Sequence, residues 1–273
     1  MRHLFQCWDE VAERVKQATQ ILLFLDYDGT LTPITIRPDM AELPPRASEL
    51  LREISQHNLF KLAIVSGRSL SDIKRLVGLE NIAYVGNHGL EIEYPLSYSQ
   101  GRSPKPITFV HPIAEEFRPW LRRLEQRLTE RLRSVDGVLI ENKGLTLSLH
   151  YRLAEETALE YIERLFVEAI EAEQATVELQ ITRGKKVLEL RPALGWNKGK
   201  AIEWLLKVYG TAGSLPVFAG DDITDEDGFG VLRRVGGVSI LVGEGSFSST
   251  ADYHLDSPEQ LHHWLERLLE TPQ

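Results

Sequence analysis

Cysteine is nearly absent: Cys7 is the only one among 273 residues. One thiol cannot close an internal disulfide or build a Cys-ligated zinc or iron–sulfur centre. That usage fits a reducing cytoplasm, the expected compartment. Long apolar runs are missing too. The longest, Ile21 to Leu25, is far short of the ~20 residues a membrane span requires, so no membrane partner is expected. Asp9, Glu10 and Glu13 sit in a helical pattern near the start, unlike the basic and apolar stretches of a secretory leader. Positive charge is in deficit, with 31 Lys and Arg against 40 acids and a net charge of −9. Nucleic-acid binding needs clustered Lys and Arg, and none is expected here. Internal repeats and low-complexity tracts are also lacking. So are the nucleotide-binding P-loop, the G-x-S-x-G elbow and H-E-x-x-H, and Gly243-Glu244-Gly245 lacks the third glycine of a dinucleotide fingerprint.

What is present is a foldable chain, 42% hydrophobic and 26% charged, long enough for about two domains. Leu4, Trp8, Val11 and Val15 recur at helical spacing. Ile21–Leu25 is continuously apolar, as a strand covered on both faces of a parallel sheet would be. A helix over 44–57, a strand over 60–65, a helix over 69–77 and a strand over 82–85 follow. Each of these strands ends in a small or polar loop. Strand–helix alternation predicts a doubly wound, mostly parallel (Rossmann-like) α/β sheet with its sites at the carboxyl ends of the strands.

The pattern changes after residue 95, where 94–106 reads as a linker rich in proline and serine. A helix over 114–133, a hairpin of 138–141 and 145–152, a helix over 158–170 and a hairpin of 177–182 and 185–191 follow. In 145–152, leucines and Tyr151 alternate with Thr146, Ser148, His150 and Arg152, which predicts one buried and one exposed face. This block is α+β, an αββαββ array. The first pattern then returns, with helices over 197–209, 229–235 and 258–269 and strands over 215–219 and 238–242. The expected organisation is a split core, 1–105 and 193–273, around an inserted domain at 106–192.

Four stretches of the core carry chemistry. Asp26-Tyr27-Asp28-Gly29 leaves a buried strand with two carboxylates at i and i+2. One could act as a nucleophile and the other handle protons, and both could face a metal; an ordinary acidic turn competes with that reading. Tyr27 is expected to point inward. Asp221, Asp222, Asp225, Glu226 and Asp227 repel one another after a second strand, and a divalent cation with oxygen ligands, Mg²⁺, would relieve them. The helix macrodipole explains Asp225 and Glu226 well, but explains the tandem Asp221-Asp222 poorly. Ser66-Gly67-Arg68 could hold a phosphoryl oxygen at a helix start or simply cap the helix. Lys198, in Asn197-Lys198-Gly199-Lys200, could neutralise phosphate or be solvated. His262-His263 is expected at the surface of its helix.

At LDYDGTLTPI (25–34), VSGRSLSDI (65–73), NKGKA (197–201) and GDDITDEDGF (220–229) the chain resembles the haloacid dehalogenase-like phosphatase superfamily. With GNHGLE (86–91), ENKGLTLSLHYR (141–152) and GKKVLELRP (184–192) it resembles the trehalose-6-phosphate phosphatase branch, over nearly its whole length. The resemblance implies a phosphoric monoester hydrolase that releases trehalose and phosphate in the last step of trehalose biosynthesis. Asp26 would form an aspartyl-phosphate, and Asp28 would protonate the leaving sugar oxygen and then activate water. Mg²⁺ would be held by Asp26, the backbone carbonyl of Asp28 and Asp221, with Asp222 supporting them. Ser66 and Lys198 would hold the phosphoryl group, and Gly67, Arg68, Asn87 and His88 would line the substrate.

The inserted block would be a cap. Glu141, Lys143, Arg152, Lys185 and Glu189 match the family's sugar-contacting positions, with Lys186 a register alternative for Lys185. Interleaved donors and acceptors suit a sugar, whose hydroxyls both give and take hydrogen bonds, although cross-strand ion pairs on a solvated sheet give the same pattern. The implied partner is a sugar phosphate, with functional coupling to a trehalose-6-phosphate synthase. Alternatives are a phosphatase for sucrose phosphate or a glycosyl-phosphoglycerate, a phosphotransferase or mutase, and a catalytically silent phosphosugar-binding regulatory module.

Overall fold

The computed structural model describes residues 1–95, 105–175, 177–184, 186–243 and 248–271. Its elements in chain order begin β1 (Arg2–His3), α1 (Trp8–Gln17), β2 (Gln20–Leu25), α2 (Pro45–Gln56), β3 (Phe60–Val65), α3 (Leu70–Val77), β4 (Ala83–Gly86), β5 (Glu91–Tyr94) and β6 (Ile107–Val110). Then come α4 (Pro112–Leu132), β7 (Leu139–Asn142), β8 (Leu147–His150), α5 (Leu159–Ala172), β9 (Leu179–Gly184) and β10 (Val187–Pro192). The chain finishes with α6 (Lys198–Tyr209), β11 (Ser214–Gly220), α7 (Glu226–Val235), β12 (Val238–Val242), β13 (Tyr253–Leu255) and α8 (Pro258–Glu270). Two compact units result, Met1–Phe109 with Trp196–Gln273, and Val110–Gly195. Among the described residues no helix is long and apolar enough to cross a membrane.

In the first unit the sheet order is β1-β13-β12-β11-β2-β3-β4-β5-β6. The pairs from β1 through β4 are parallel and β4–β5 is antiparallel. The apolar run of β2 is sorted by the pleat. Ile21, Leu23 and Leu25 join residues of α1, α2, α3 and α8 in one cluster, while Leu22 and Phe24 join residues of α6 and α7 in another. Helices therefore cover both faces, and truncating a fully buried leucine such as Leu23 should cost about 2–5 kcal/mol. Local signals set the helix ends. The Ser69 side chain accepts from the Asp72 N–H, and Gly78 stops α3 in the left-handed region.

The second unit is an antiparallel sheet, β7-β8-β10-β9. Its leucines Leu147, Leu149, Leu188 and Leu190 pack with α4 and α5. Register aligns Glu141, Ser148, Glu189 and Thr182 across the four strands on the other face.

Several expectations need correction. Short strands β1, β5, β6 and β13 were not predicted, because two to four residues carry too little periodicity to be read. Arg183 and Gly184 belong to strand β9 and are not the hairpin turn, and Lys186 rather than a glycine takes a positive φ, 64°. Helix α7 starts at Glu226, not Phe229, after a 3₁₀ turn capped by Asp222. Thr146 and Ser148 are buried, so the polar side of β8 is not an exposed face. His262 is buried too, with Nε2 2.9 Å from the Leu31 carbonyl oxygen.

Candidate active site

Parallel pairing assembles the site. Strand β11 lies beside β2 with Phe218 opposite Phe24 and Ala219 opposite Leu25. The Asp26 N–H then donates to the Ala219 carbonyl at 2.9 Å. The two strands thus end together and deliver Asp26 and Asp221 side by side. Gly29 is required at that junction. Its φ is +87°, and a Cβ there would lie 2.1 Å from Asp221 Oδ2.

Lys198 opens α6, whose Asn197 cap accepts from the Lys200 N–H. Its Nζ donates to Asp26 Oδ1 and to Asp225 Oδ1, both at 2.7 Å. Asp225 is fully buried and its Oδ2 accepts the Asp221 and Asp222 N–H groups at 3.1 Å each. Oxygens of Asp26, Asp221 and Asp225 lie within 4.8 Å of one another. Two carboxylates therefore share one ammonium, with the third, Asp221, beside them. Burial, then the charges of Asp26, Asp225 and Asp222, pushes Asp221 up to about 9. Burial also pushes Asp26 upward, with Asp225 and Asp28 adding to it and Lys198 opposing. Burial disfavours the charged Lys198, but Asp225 and Asp26 outweigh it and hold the ammonium firmly protonated. Such crowded carboxyl oxygens suit a hard divalent cation, which can take the place of the protons that burial favours.

Asp28 stands apart from this cluster. Its carboxylate accepts Arg68 Nε and Nη2, each at 2.7 Å, while Arg68 Nη1 donates to Asp72 at 2.9 Å and Nη2 also reaches the Pro38 carbonyl at 2.9 Å. Burial opposes the charge on Arg68, but Asp28 and Asp72 raise its pKa all the same. Tyr27, between the two aspartates, is fully buried and its hydroxyl donates to the Ala41 carbonyl at 3.0 Å. Burial pushes that phenol up to about 12.

A third loop is locked beneath these. Asn87 and His88 have φ of 48° and 55°, left-handed values uncommon for residues with a side chain. The strain, about 1 kcal/mol or more per residue, is held by specific bonds. The Asn87 N–H donates to the Arg68 carbonyl at 2.6 Å and the His88 N–H to the Ser66 carbonyl at 3.1 Å. Glu91 Oε2 accepts both Asn87 Nδ2 at 2.6 Å and the Leu70 N–H at 3.0 Å. The His88 ring lies where a Cβ on Gly67 would fall, 2.4 Å from Nε2, so only glycine fits there.

The sequence-predicted set is thus sorted. Asp26, Asp221 and Lys198 converge, and Ser66 is buried at the end of β3 with its hydroxyl accepting the Arg68 N–H at 3.1 Å. Arg68 is spent on Asp28 and Asp72, and Asn87 is fully buried with its amide on Glu91. Each has a partner that shapes its loop, and contact of either with a substrate stands as an expectation. Gly67 and His88 fill each other's space. Asp222 caps the turn after β11, accepting the Ile223 N–H, and it is Asp225 that reaches the carboxylate cluster. Asp225 was passed over as an ordinary helix-start acid. The signal that could have found it is its spacing, four residues after Asp221, one turn along.

In the second unit Lys143 Nζ pairs with Glu189 Oε1 at 2.8 Å, and Ser148 Oγ donates to the same oxygen at 3.2 Å. His150 Nε2 lies 2.9 Å from Glu141 Oε2. Ser148 and His150 join the expected polar row. Arg152 is half-buried in the turn after β8, and Lys185 lies outside the described residues.

Comparison with known proteins gives a consistent picture. The profile of the family described as Trehalose-phosphatase matches residues 24–259. Trehalose-phosphate phosphatase B of Arabidopsis thaliana is 38% identical over 272 residues, covering 96% of this chain and 70% of that one. The trehalose-6-phosphate phosphatase of Aspergillus fumigatus superposes with a TM-score of 0.62 at 27% identity, covering 97% of each chain. The C-terminal domain of the C. albicans trehalose-6-phosphate phosphatase reaches 0.79 over 97% of this chain and 98% of that one; at 23% identity it is a likeness of fold.

Proposed function

The chain belongs to the trehalose-phosphatase family, and from that premise we propose that Asp26, Asp28, Lys198 and the Asp221–Asp225 pair carry its reaction. The protein is a phosphoric monoester hydrolase that dephosphorylates trehalose 6-phosphate in trehalose biosynthesis. The single observation that supports the residue assignment is the shared Lys198 clamp on Asp26 and Asp225 at the ends of adjacent strands.

Lys198 fixes Asp26 by one carboxylate oxygen, which leaves the other to attack phosphorus. A carboxylate approaching a phosphate dianion is repelled, so positioning and charge cancellation must supply most of the catalysis. Mg²⁺ would be held by Asp26 and Asp221, with Asp225 beside them. When bound it would neutralise phosphoryl charge. The sugar–oxygen bond to phosphorus breaks as Asp26 becomes an aspartyl-phosphate, and Asp28 gives the departing oxygen its proton. Asp28 then takes a proton from water as that water attacks phosphorus, which releases phosphate and restores Asp26. Arg68 holds Asp28 as a carboxylate through two parallel bonds, and that pair must open for Asp28 to carry the proton it gives to the departing oxygen. Ser66 retains a hydroxyl proton that can be donated to a phosphoryl oxygen.

The inserted unit is the proposed cap, and its Glu141, Lys143, Glu189 and Arg152 are the proposed sugar contacts. The class of enzyme that supplies the substrate is a synthase joining two glucose units, one of them phosphorylated. The reducing cytoplasm is the proposed compartment, consistent with the free Cys7. The test is phosphate release across trehalose 6-phosphate, sucrose 6-phosphate, glucose 6-phosphate and an aryl phosphate, with Mg²⁺ and with chelator. Preference for trehalose 6-phosphate that vanishes with chelator is the expected result. Equal rates on all four, or turnover insensitive to chelator, would overturn it.

A further inference from the structure

A second group of side chains able to ligate a metal lies at the edge of the first unit, with β11 and β12 between it and β2. Strands β1 and β13 pair in parallel with His3 opposite His254, and Asp256 follows β13 directly. The ring centroids of the two histidines are 5.0 Å apart, nearly perpendicular. His3 Nε2 is 3.5 Å from Asp256 Oδ2, and His254 Nδ1 is 3.6 Å from Asp256 Oδ1. One ligand atom from each of the three lies within 4.8 Å of the others. Gln260 Oε1 is 3.1 Å from His3 Nε2, and the Gln260 amide donates to Asp256 Oδ2 at 3.0 Å.

We propose that His3, His254 and Asp256 form a binding site for a borderline divalent cation, with zinc the best match, distinct from the catalytic carboxylates. Two features carry this. Metal–nitrogen and metal–oxygen bonds of ~2.0–2.1 Å in a tetrahedron place neighbouring donors roughly 3.3 Å apart. The His3–Asp256 and His254–Asp256 separations already stand near that spacing, so little rearrangement is needed. The donor set is also the right kind. Two imidazoles and a carboxylate suit zinc and its neighbours, whereas Mg²⁺ prefers oxygen ligands alone. The two clusters therefore differ in hardness, all-oxygen at Asp26, Asp221 and Asp225 and nitrogen-rich here. Gln260 orients the carboxylate, as partners of metal ligands do, and can serve as a fourth ligand through its amide oxygen. The consequence is structural. Strand β1 has only two residues, and the ion would clip that short edge to β13 and the start of α8.

The test titrates Zn²⁺ into untagged protein held in saturating Mg²⁺, with Co²⁺ as a spectroscopic substitute. Wild type is expected to bind one Zn²⁺ that Mg²⁺ does not displace, and to give the strong visible absorption of four-coordinate Co²⁺. His254→Ala and Asp256→Asn should each weaken that binding about tenfold or more, with Mg²⁺-dependent phosphate release unchanged. Asp256 is exposed, so its variant guards against a loss that merely reflects a loosened strand. Failure of wild type to bind the Mg²⁺-resistant zinc, or full retention of it by Asp256→Asn and His254→Ala, would overturn the site.

Discussion

The two units hold their polar groups in opposite ways. In the first, Asp26 and Asp225 share one ammonium with Asp221 beside them, so three carboxyls crowd a single positive charge and their ionisation is disfavoured. In the second, Lys143 is matched to Glu189 and His150 to Glu141, with Ser148 between. An unbalanced cluster stores electrostatic cost that a cation and a phosphoryl group can relieve, which is what chemistry needs. A balanced array of donors and acceptors is cheap to keep and suits the reading of hydroxyls. On the proposed reading, that difference separates turnover from selectivity.

The largest effect expected from breaking that contrast is at Asp26. Asp26→Asn should fold, by circular dichroism, yet lose phosphate release about a thousandfold or more on sugar and aryl phosphates alike. Selective loss on one substrate would dissolve the division between units. Next comes Arg68→Lys, which cannot make the paired bonds to Asp28. Its kcat should fall about tenfold to a hundredfold on both substrates, with a displaced pH–rate profile.

Glu189→Gln tests the other side. It keeps volume but removes the charge facing Lys143, and KM for trehalose 6-phosphate should rise about tenfold. Turnover of an aryl phosphate should not change, and equal damage to both would mark Glu189 as structural.

The pH dependence of stability follows from the raised carboxyls. Asp221 binds its proton more tightly folded than unfolded, so its contribution to stability is full below about pH 4 and is lost as pH rises toward about 9. In chelator the melting temperature should fall through that window, and added Mg²⁺ should restore more of it at high pH than at low. A flat profile would mean that the cluster is not short of positive charge. Tyr27→Phe is the mildest change. It loses one bond to the Ala41 carbonyl, about 1 kcal/mol, visible as a slightly lower melting temperature with nearly normal turnover.

Much of the core was legible because its signals are local. Strands β3 and β12 run over 60–65 and 238–242 as their apolar runs predict. Asp26 and Asp221, the two acids proposed to carry chemistry, stand at strand ends where the pattern turns from apolar to polar. The inserted unit read less well. Its β9–β10 turn was misplaced, because Gly184 signals a turn yet belongs to strand β9, and Lys186 takes the positive φ instead. Burial of Ser148 and Thr146 was also invisible, since period two tells which residues share a face but not whether water reaches it.

The sequence by itself determined the strand–helix order, the split of the core around an α+β insert, and the kinds of group at each strand end. Those depend on residues within a few positions of one another. Tertiary structure alone decided the partners. Lys198 meets Asp26 across 172 positions, and Arg68 meets Asp28 across 40. Asp225, not Asp222, turns into the cluster because Asp222 is used to cap the turn. Hydrogen bonds and charge pairing act over a few ångströms in space, and only the adjacency of parallel strands determines which distant residues come that close.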